Sequence, residues 1–336
     1  MAIDLTEIAS GLGKYQLPNG LILQTIGGVG DPWNHVEVLM ALTIAGDYER
    51  AERGYRWLAN NQLGEGSWFQ YYRRDSVHSS RIDFNVTGYV ATGLLHYWRS
   101  TKDEDSVGSL WPTLVRAVSF IDAHMDNQGL APWSVNSRGV AESFSLLTGS
   151  SSLMHSLYCA NQLAVEIGEE PVIGVERLSA LRHRITSHPE KFVDKSNFAM
   201  DWYYPALTGA KPFTNGDRLK FEQEFLIPGV GVRCVATSDW VTAAETAEYA
   251  LTLTRNQDFA GARQLLSDIE QLRSPSGLYF TGIGHPSGET FPRDEVSSYS
   301  AAAVVLAWDA LEQLSPGHEL FATDLPAQVQ VDCADC

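Results

Sequence analysis

The stretch Gln62-Leu63-Gly64-Glu65-Gly66-Ser67-Trp68 is a tight glycine turn that ends in an aromatic residue, and the nearly all-apolar segment DFNVTGYVATGLLHYW follows it at Asp83–Trp98. Related glycine turns recur along the chain, at Pro18–Ile22, Asn127–Trp133 and Ser274–Phe280. Segments rich in small residues follow these turns, at Asp31–Ala45, Ser143–Ala164 and Ser297–Leu311. A further segment of this kind, Thr242–Leu253, has no glycine turn before it. Such repetition indicates an architecture built from similar units.

Segments of a different character lie between the small-residue segments. They are amphipathic with a period near 3.6, as in surface helices, and they are Asp47–Asn60, Leu110–Met125, Val175–Ser187 and Asp258–Leu272. A helix that is apolar nearly all round must be buried on most sides. The alternation therefore predicts an all-α protein in which outer helices cover six inner ones, with Trp202–Gly209 as a short fourth inner helix.

Two arrangements of paired helices are possible, an open solenoid and a closed ring. A solenoid needs polar capping repeats at both ends, and the sequence has none. We therefore predict a closed (α/α)6 toroid as a single domain, residues 1–315. Residues 316–336, with two prolines and little periodicity, are expected to form a loose tail.

The charge and the cysteines limit the possible partners. A formal net charge of −17 over 336 residues argues against nucleic acid, since phosphate binding needs clustered Lys and Arg. Because the chain has no signal-like start and no run of eighteen apolar residues, we expect a cytoplasmic protein without a membrane segment. Cys159 and Cys234 are interpreted as reduced core residues. Cys333 and Cys336 have metal-ligand spacing but are interpreted as tail residues, so no metal or cofactor is expected.

The turn from Gln62 to Trp68 resembles the Gln-Trp repeat of squalene-hopene and oxidosqualene cyclases, and the whole chain resembles bacterial proteins labelled prenyltransferase-like or squalene-cyclase-like. The resemblance implies an α/α-toroid. Protein prenyltransferases on this fold bind zinc through an Asp, a Cys two residues later and a distant His. Because pieces of that kind occur here only in the terminal tail, the prenyltransferase alternative is rejected.

The cyclases protonate their substrate from an Asp-x-Asp-Asp-Thr-Ala motif at the start of an inner helix. Asp83-Phe84-Asn85-Val86-Thr87-Gly88 lies in a similar place, and its first Asp and its Thr match. Asn85 stands where the proton donor is usual. The resemblance therefore implies either that Asp83 is the acid or that the chemistry differs.

The other candidates lie at the starts of the predicted inner helices, where side chains would point into one central pocket. The catalytic candidates are Asp83, Asp201, Glu245 and His35, and the substrate-binding candidates are Asp31, Trp33, Glu37, Asn85, Trp133, Trp202, Tyr203, Tyr204, Trp240, Glu295 and Tyr299. Glu245 is the best single candidate, because an unpaired charge inside a small-residue helix is costly. Helix capping is the alternative for Asp31 and Asp83, and core packing is the alternative for the aromatic residues.

Three functions fit these residues. The leading hypothesis is a terpene-cyclase-like enzyme in which Asp83 or Asp201 protonates an isoprenoid, aromatic rings stabilise the cation, and His35 or a carboxylate takes the last proton. The alternative is a carbohydrate-active enzyme that uses paired carboxylates as acid and base. The third is a toroid that binds a ligand without catalysis. A polar pocket would favour a sugar, an apolar pocket an isoprenoid, and the oligomeric state is left open.

Overall fold

The structure is a computed structural model that describes residues 3–326, 329–331 and 333. Within these residues the chain forms twelve α-helices joined by short turns and strands. They are α1 (Leu5–Leu12), α2 (Pro32–Ile44), α3 (Tyr48–Asn61), α4 (Phe84–Thr101), α5 (Glu104–His124), α6 (Leu147–Ile167), α7 (Val175–Ser187), α8 (Met200–Leu207), α9 (Asn215–Phe225), α10 (Ala243–Arg255), α11 (Phe259–Asp268) and α12 (Ser298–Glu312).

The even-numbered helices form a closed inner ring. Each packs against the next in the order α2, α4, α6, α8, α10 and α12, and α12 packs against α2. The expected (α/α)6 toroid is confirmed, and the open solenoid is excluded. The short fourth inner helix predicted at Trp202–Gly209 is α8, which begins at Met200.

Small residues bring the inner helices close together. In α4 the first fifteen residues are buried. A Cβ on Gly93 would lie 2.3 Å from Cγ1 of Val36 in α2, and one on Gly88 would lie 2.7 Å from Cδ1 of Leu153 in α6. These glycines therefore allow α4 to approach both of its neighbours in the ring.

The odd-numbered helices form the outer layer. In α3, for example, Ala51, Tyr55 and Leu58 are buried, while the charged residues Glu49 and Arg56 lie on its solvent side. This is the amphipathic pattern expected of a helix that covers an inner one. Among the described residues no helix is both long and apolar enough to span a membrane.

The glycine turn from Gln62 to Trp68 links one helix pair to the next. The Gln62 amide donates hydrogen bonds of 2.8 Å to the carbonyls of Gly66 and Thr113, and its oxygen accepts one of 2.9 Å from Nε of Arg116. Trp68 is fully buried and donates to the Leu58 carbonyl at 2.9 Å. Gly66 has φ +108°, and a Cβ there would lie 2.3 Å from the Arg116 carbonyl oxygen. Gln62 thus ties the end of α3 to α5 in the outer layer, and we call this turn, from Gln62 to Trp68, the staple.

The same staple occurs one repeat earlier. The Gln16 amide donates to the carbonyls of Gly20 and Arg50, and Nε of Arg53 donates to its oxygen at 3.1 Å. Gly20 also has a positive φ, of +101°. In the third repeat Arg177 donates to the Asp126 carbonyl at 2.7 Å. An arginine thus holds the turn of each of the first three repeats. In the third repeat it lies one helical turn earlier, because the residue that packs on the turn glycine, as Arg53 and Arg116 do, is Ala180.

In the part of the chain that the structure describes, eight short strands that were not predicted from the sequence lie in the connections: β1 (Tyr71–Arg73), β2 (Ser76–Ser79), β3 (Ile82–Asp83), β4 (Ser134–Val135), β5 (Leu226–Ile227), β6 (Gly231–Arg233), β7 (Trp240–Thr242) and β8 (Gly282–Gly284). Strands β5 to β8 form one antiparallel sheet in chain order, with Val232 opposite Thr242 and Val241 opposite Ile283. Strand β7 runs directly into α10, so this sheet fixes the start of that inner helix.

The chain after α12 closes the end of the ring opposite the helix starts. Leu320 and Phe321 are buried, and Phe321 stacks on His155 of α6 with ring centroids 5.0 Å apart. The Thr323 carbonyl accepts a hydrogen bond of 3.1 Å from Arg255, at the end of α10. Residues 316–326 are therefore packed against the ring and do not form the loose tail that was expected. Cys336 lies outside the described residues.

Candidate active site

A cavity of about 290 Å³ opens where the inner helices begin. Five carboxyl groups line it: Asp31, Glu37, Asp83, Glu245 and Glu248. Asp31 and Glu37 belong to the α2 segment, Asp83 precedes α4, and Glu245 and Glu248 lie in α10. In the ring α4 stands opposite α10, so these acids face one another across the cavity.

The acids lie at two depths. Asp31 and Asp83 are the N-caps of α2 and α4, and Glu245 is the third residue of α10, so these three form a rim at the helix starts. A helix rises 1.5 Å per residue, which places Glu248 about 4.5 Å deeper than Glu245, and Glu37 about 9 Å deeper than Asp31. We call Glu37 and Glu248 the floor pair.

Asp31 is held in place by amide donors. Its carboxylate accepts hydrogen bonds from the backbone N of Asn34 at 3.0 Å, the Asn34 side chain at 2.7 Å and the Gln24 side chain at 2.6 Å. Burial raises the pKa of Asp31, and these hydrogen bonds oppose the rise. The predicted N-cap and the predicted site residue are therefore the same side chain in two roles.

Asp83 likewise caps its helix and lines the cavity. The backbone N of Val86 donates to its carboxylate at 3.1 Å, and the Trp133 side chain is a further hydrogen-bond partner. Burial nevertheless raises the pKa of Asp83 to about 6, with a smaller contribution from the charge of Asp31. Tyr71, whose pKa is raised by burial and then by the charges of Asp31 and Asp83, lies close to both acids.

The floor pair is buried and hydrogen-bonded. Glu37 accepts from the Trp33 indole at 2.9 Å and from the Tyr89 hydroxyl at 3.3 Å, and Glu248 accepts from the Tyr203 hydroxyl. Burial raises the pKa of Glu37 to about 7. Burial, followed by the charges of Glu37 and Glu245, raises the pKa of Glu248 well above the usual value. Ionisation of one member of the floor pair thus disfavours ionisation of the other.

Glu245 differs from the other four acids because it is partly exposed. Its carboxylate accepts a hydrogen bond from the Thr242 hydroxyl, and Thr242 is the last residue of β7. Cys234 is a further hydrogen-bond partner. The sheet thus orients a carboxylate that solvent in the cavity can reach.

Aromatic and amide side chains complete the wall. Trp33 packs against Tyr89 with ring centroids 5.2 Å apart, while the Trp240 indole donates to the Phe291 carbonyl at 2.8 Å. The remaining polar lining residues are Asn34, Gln70, Tyr71, Thr242, Thr281 and Tyr299, and the apolar ones are Val86, Met200 and Ala244. Eleven of the sixteen lining residues have polar or ionisable side chains, and such a lining favours a sugar over an isoprenoid.

Two catalytic candidates lie away from this cavity. His35 is fully buried between the backbone N of Ile22, from which its Nδ1 accepts, and the Gly54 carbonyl, and burial lowers its pKa to about 4. Asp201 lies in a separate cavity of about 140 Å³ and accepts from the Thr148 hydroxyl. Neither is placed to take a proton from a ligand among the rim acids.

Some of the remaining candidates line the cavity, and others lie outside it. Asp31, Trp33, Glu37, Asp83, Trp240, Glu245 and Tyr299 line the cavity. Asn85 and Trp133 line a small neighbouring pocket, Trp202 lies with Asp201, and Tyr203 and Tyr204 are buried behind the wall. Glu295 accepts from the Thr281 hydroxyl at 2.9 Å and so contacts a lining residue.

Sequence reasoning missed Glu248, Asn34, Gln70, Tyr71 and Met200. A signal existed for Glu248, because it lies three residues after Glu245 on the same small-residue helix, and residues at that spacing share a face. Gln70 and Tyr71 lie at the start of the β1–β2 hairpin. No periodicity of the sequence marked this hairpin as part of the cavity.

No protein-family model matches the chain. The MMP endo-(1,4)-3-O-methyl-alpha-D-mannosidase of Mycolicibacterium hassiacum is 35% identical to it over 336 residues, which cover 98% of this chain and 92% of that protein. Similar solved structures include a glycosidase in complex with glucose, with a TM-score of 0.70 and 14% identity over 92% of this chain and 96% of that one. A D-mannose isomerase has a TM-score of 0.67 and 9% identity over 90% of this chain and 95% of that one. At these identities the structural likeness shows the fold alone.

The comparisons overturn the terpene-cyclase hypothesis, its isoprenoid substrate and the supposed kinship with squalene-hopene cyclases. The relative that covers the chain acts on a sugar. The structure explains the error, because the Gln62 to Trp68 turn is a staple of the outer layer and contributes nothing to the cavity. The carbohydrate alternative is the one that is supported, and the chain belongs to an enzyme family, that of the M. hassiacum MMP endo-(1,4)-3-O-methyl-alpha-D-mannosidase.

Proposed function

We propose that the protein is a glycoside hydrolase that cleaves an α-mannosidic bond, with O-methylated mannose as the preferred sugar. The observation that carries the proposal is the set of carboxyl groups on facing walls of a polar cavity. Hydrolysis of a glycosidic bond needs two such groups, one protonated and one ionised. The substrate class is taken from the family relationship. Val86, Met200 and Ala244 give the otherwise polar wall apolar surface suited to methyl ethers.

Asp83 is proposed as the general acid. Its pKa of about 6 keeps a substantial fraction protonated near neutral pH, as an acid catalyst requires. It would give its proton to the glycosidic oxygen as the bond from that oxygen to the anomeric carbon breaks. The leaving sugar then departs as a neutral alcohol.

Glu245 is proposed as the general base. It lies in α10, opposite the α4 wall that carries Asp83, and it is the rim acid that solvent reaches. It would take a proton from a water molecule as that water attacks the anomeric carbon from the side opposite the leaving oxygen. Such a single displacement inverts the anomeric configuration.

Asp31 is proposed to stay ionised beside the reacting carbon. Three amide hydrogen bonds stabilise its negative charge. The transition state of glycoside hydrolysis resembles a positively charged oxocarbenium ion, so a fixed carboxylate at the rim lowers its energy. The floor pair would form hydrogen bonds with sugar hydroxyls, since burial favours the protonated form of both acids.

The acid and the base can be told apart by the leaving group. Asp83→Asn is expected to lower kcat on a natural mannosyl linkage about 10²–10⁴-fold. It should retain much more activity on a mannoside with an activated phenol, which leaves without protonation. Glu245→Gln should lose activity on both substrates, and Glu170→Gln, which alters an exposed carboxylate, is the matched control.

Two results would contradict the proposal. The first is equal loss by Asp83→Asn and Glu170→Gln on the natural linkage. The second is a product that NMR shows to retain its α configuration when first released. Comparing α-1,4-linked 3-O-methylmannose oligosaccharides with unmethylated mannose oligosaccharides tests the substrate separately, and equal kcat/KM for both would remove the methyl preference while leaving the acid and base assignment intact.

A further inference from the structure

A cluster of side chains outside the ring has the composition of a metal site. His183 lies in α7, His188 follows the end of that helix, and Cys333 comes from the last part of the chain that the structure describes. One potential ligand atom from each of the three lies within 4.8 Å of the others. His188 Nε2 and Cys333 Sγ are 3.3 Å apart, and the two imidazole rings are 5.2 Å apart.

These distances suit a tetrahedral ion. Zinc binds imidazole nitrogen at about 2.0–2.1 Å and thiolate sulfur at about 2.3 Å, which places ligand atoms of one site about 3.4–3.6 Å from each other. The nitrogen–sulfur distance between His188 and Cys333 is close to that value, and a modest rotation of the His183 ring would bring the third ligand into range. A set of one thiolate and two imidazoles binds zinc more readily than it binds cations that prefer oxygen ligands, such as Mg²⁺ and Ca²⁺.

The surroundings of His188 add a second, independent observation. Its Nδ1 lies 3.0 Å from the Glu190 carboxylate, so the ring donates there and turns Nε2 toward Cys333. Histidines that bind metals usually have this carboxylate partner, which fixes the ring and increases its basicity. His188 is itself buried. The pair with Glu190 thus orients a ligand toward the sulfur.

We propose that His183, His188 and Cys333 bind one zinc ion that fastens the C-terminal segment to the outer helix α7. The described part of the C-terminal segment lies against this helix, since the Pro326 carbonyl accepts from Arg182 at 3.0 Å and the Val329 amide donates to Ser179 at 3.1 Å. A structural zinc ion would fasten the segment to the same helix at a further point. None of the three residues lines the active-site cavity.

The test is zinc content. Protein made without a polyhistidine tag, incubated with Zn²⁺ and dialysed against metal-free buffer, should contain about one zinc ion per chain by mass spectrometry. Cys333→Ser and His188→Ala should each lose it, and Glu190→Gln should weaken zinc binding about 10–100-fold. Exchange for Co²⁺ should give a sulfur-to-cobalt charge-transfer absorption that Cys333→Ser lacks.

Two controls separate this site from general metal binding. His78→Ala removes an exposed histidine of β2, and Cys234→Ser removes a cysteine elsewhere, so both variants should keep the zinc. Circular dichroism shows whether each variant is folded. If His188→Ala does not fold, His183→Ala replaces it as the histidine variant in the zinc measurement. Wild-type protein that retains no zinc after dialysis would overturn the proposal, and so would folded Cys333→Ser protein with full zinc content.

Discussion

Replacing Glu37 by Gln should stabilise the protein at high pH, although Glu37 belongs to the active-site cavity. Gln keeps an oxygen that can accept from the Trp33 indole and the Tyr89 hydroxyl, but it cannot ionise. Burial raises the pKa of Glu37 from the usual 4.5 to about 7. The folded state therefore holds its proton in a pH range where the unfolded chain has already released it.

The size and the sign follow from this difference. Between pH 4.5 and about 7 the folded state binds more protons than the unfolded one, so the free energy of unfolding falls as the pH rises. A change of the pKa from 4.5 to about 7 corresponds to roughly 3 kcal/mol above pH 7. Glu37→Gln removes this loss. The variant should match the wild type below pH 4.5 and exceed it by roughly 3 kcal/mol, or about 4 °C in Tm for a chain of this length, above pH 7.

Urea unfolding of both proteins from pH 4 to pH 8.5 measures the difference directly. Glu170→Gln, which alters an exposed carboxylate, is the control and should show no such trend. A Glu37→Gln variant whose stability differs from the wild type by the same amount at every pH would refute the reasoning. So would a variant that is less stable above pH 7. Hydrolysis by the same variant should fall, because the floor pair loses a carboxyl group that would bind sugar hydroxyls.

Three further predictions concern the staple and the rim. Gln62→Ala should lower the free energy of unfolding by about 1–3 kcal/mol, because it removes the two hydrogen bonds that the Gln62 amide donates and the one that it accepts from Nε of Arg116; urea unfolding beside the exposed-residue variant Gln223→Ala checks this, and a change under about 0.5 kcal/mol contradicts it. Tyr71→Phe should lower kcat/KM about tenfold by removing a hydroxyl near two rim acids; steady-state kinetics that match the wild type would exclude this role. The alkaline limb of the profile of kcat/KM against pH should have an apparent pKa near 6, where Asp83 loses its proton, and Asp83→Asn should abolish that limb; a limb that persists in this variant belongs to another group.

The fold could be predicted from the sequence because it depends on periodicity. Alternation of amphipathic and all-apolar segments marked both layers of the ring, and the short helix α8 was predicted at Trp202–Gly209 as the fourth of six inner helices. The strands escaped notice because two to four residues carry no detectable alternation. The closing segment escaped because Leu320 and Phe321 are too few to form a periodic pattern.

The acids of the active site could be predicted where the sequence around them was distinctive. Asp31 and Asp83 were found at helix starts, Glu37 in the polar cluster that opens α2, and Glu245 inside a small-residue helix. Glu248 was missed although it lies no deeper in α10 than Glu37 does in α2. Asp201 was a reasonable candidate by composition, but α8 begins only one residue before it, and its carboxylate meets Thr148 in a separate cavity. The rotation of a helix about its own axis decides which cavity such a side chain faces, and amino-acid composition does not reveal this rotation.

Closure of the ring has a consequence for how the chain is made. Helix α2 packs against α4 on one side and α12 on the other, yet α12 leaves the ribosome long after α2 does. Until then one apolar flank of α2 has no partner, and the growing chain exposes a surface to which chaperones bind. We expect ribosome-bound chains that stop before Ser298 to be readily cut by proteases, and chains that include Glu312 to become resistant in one step.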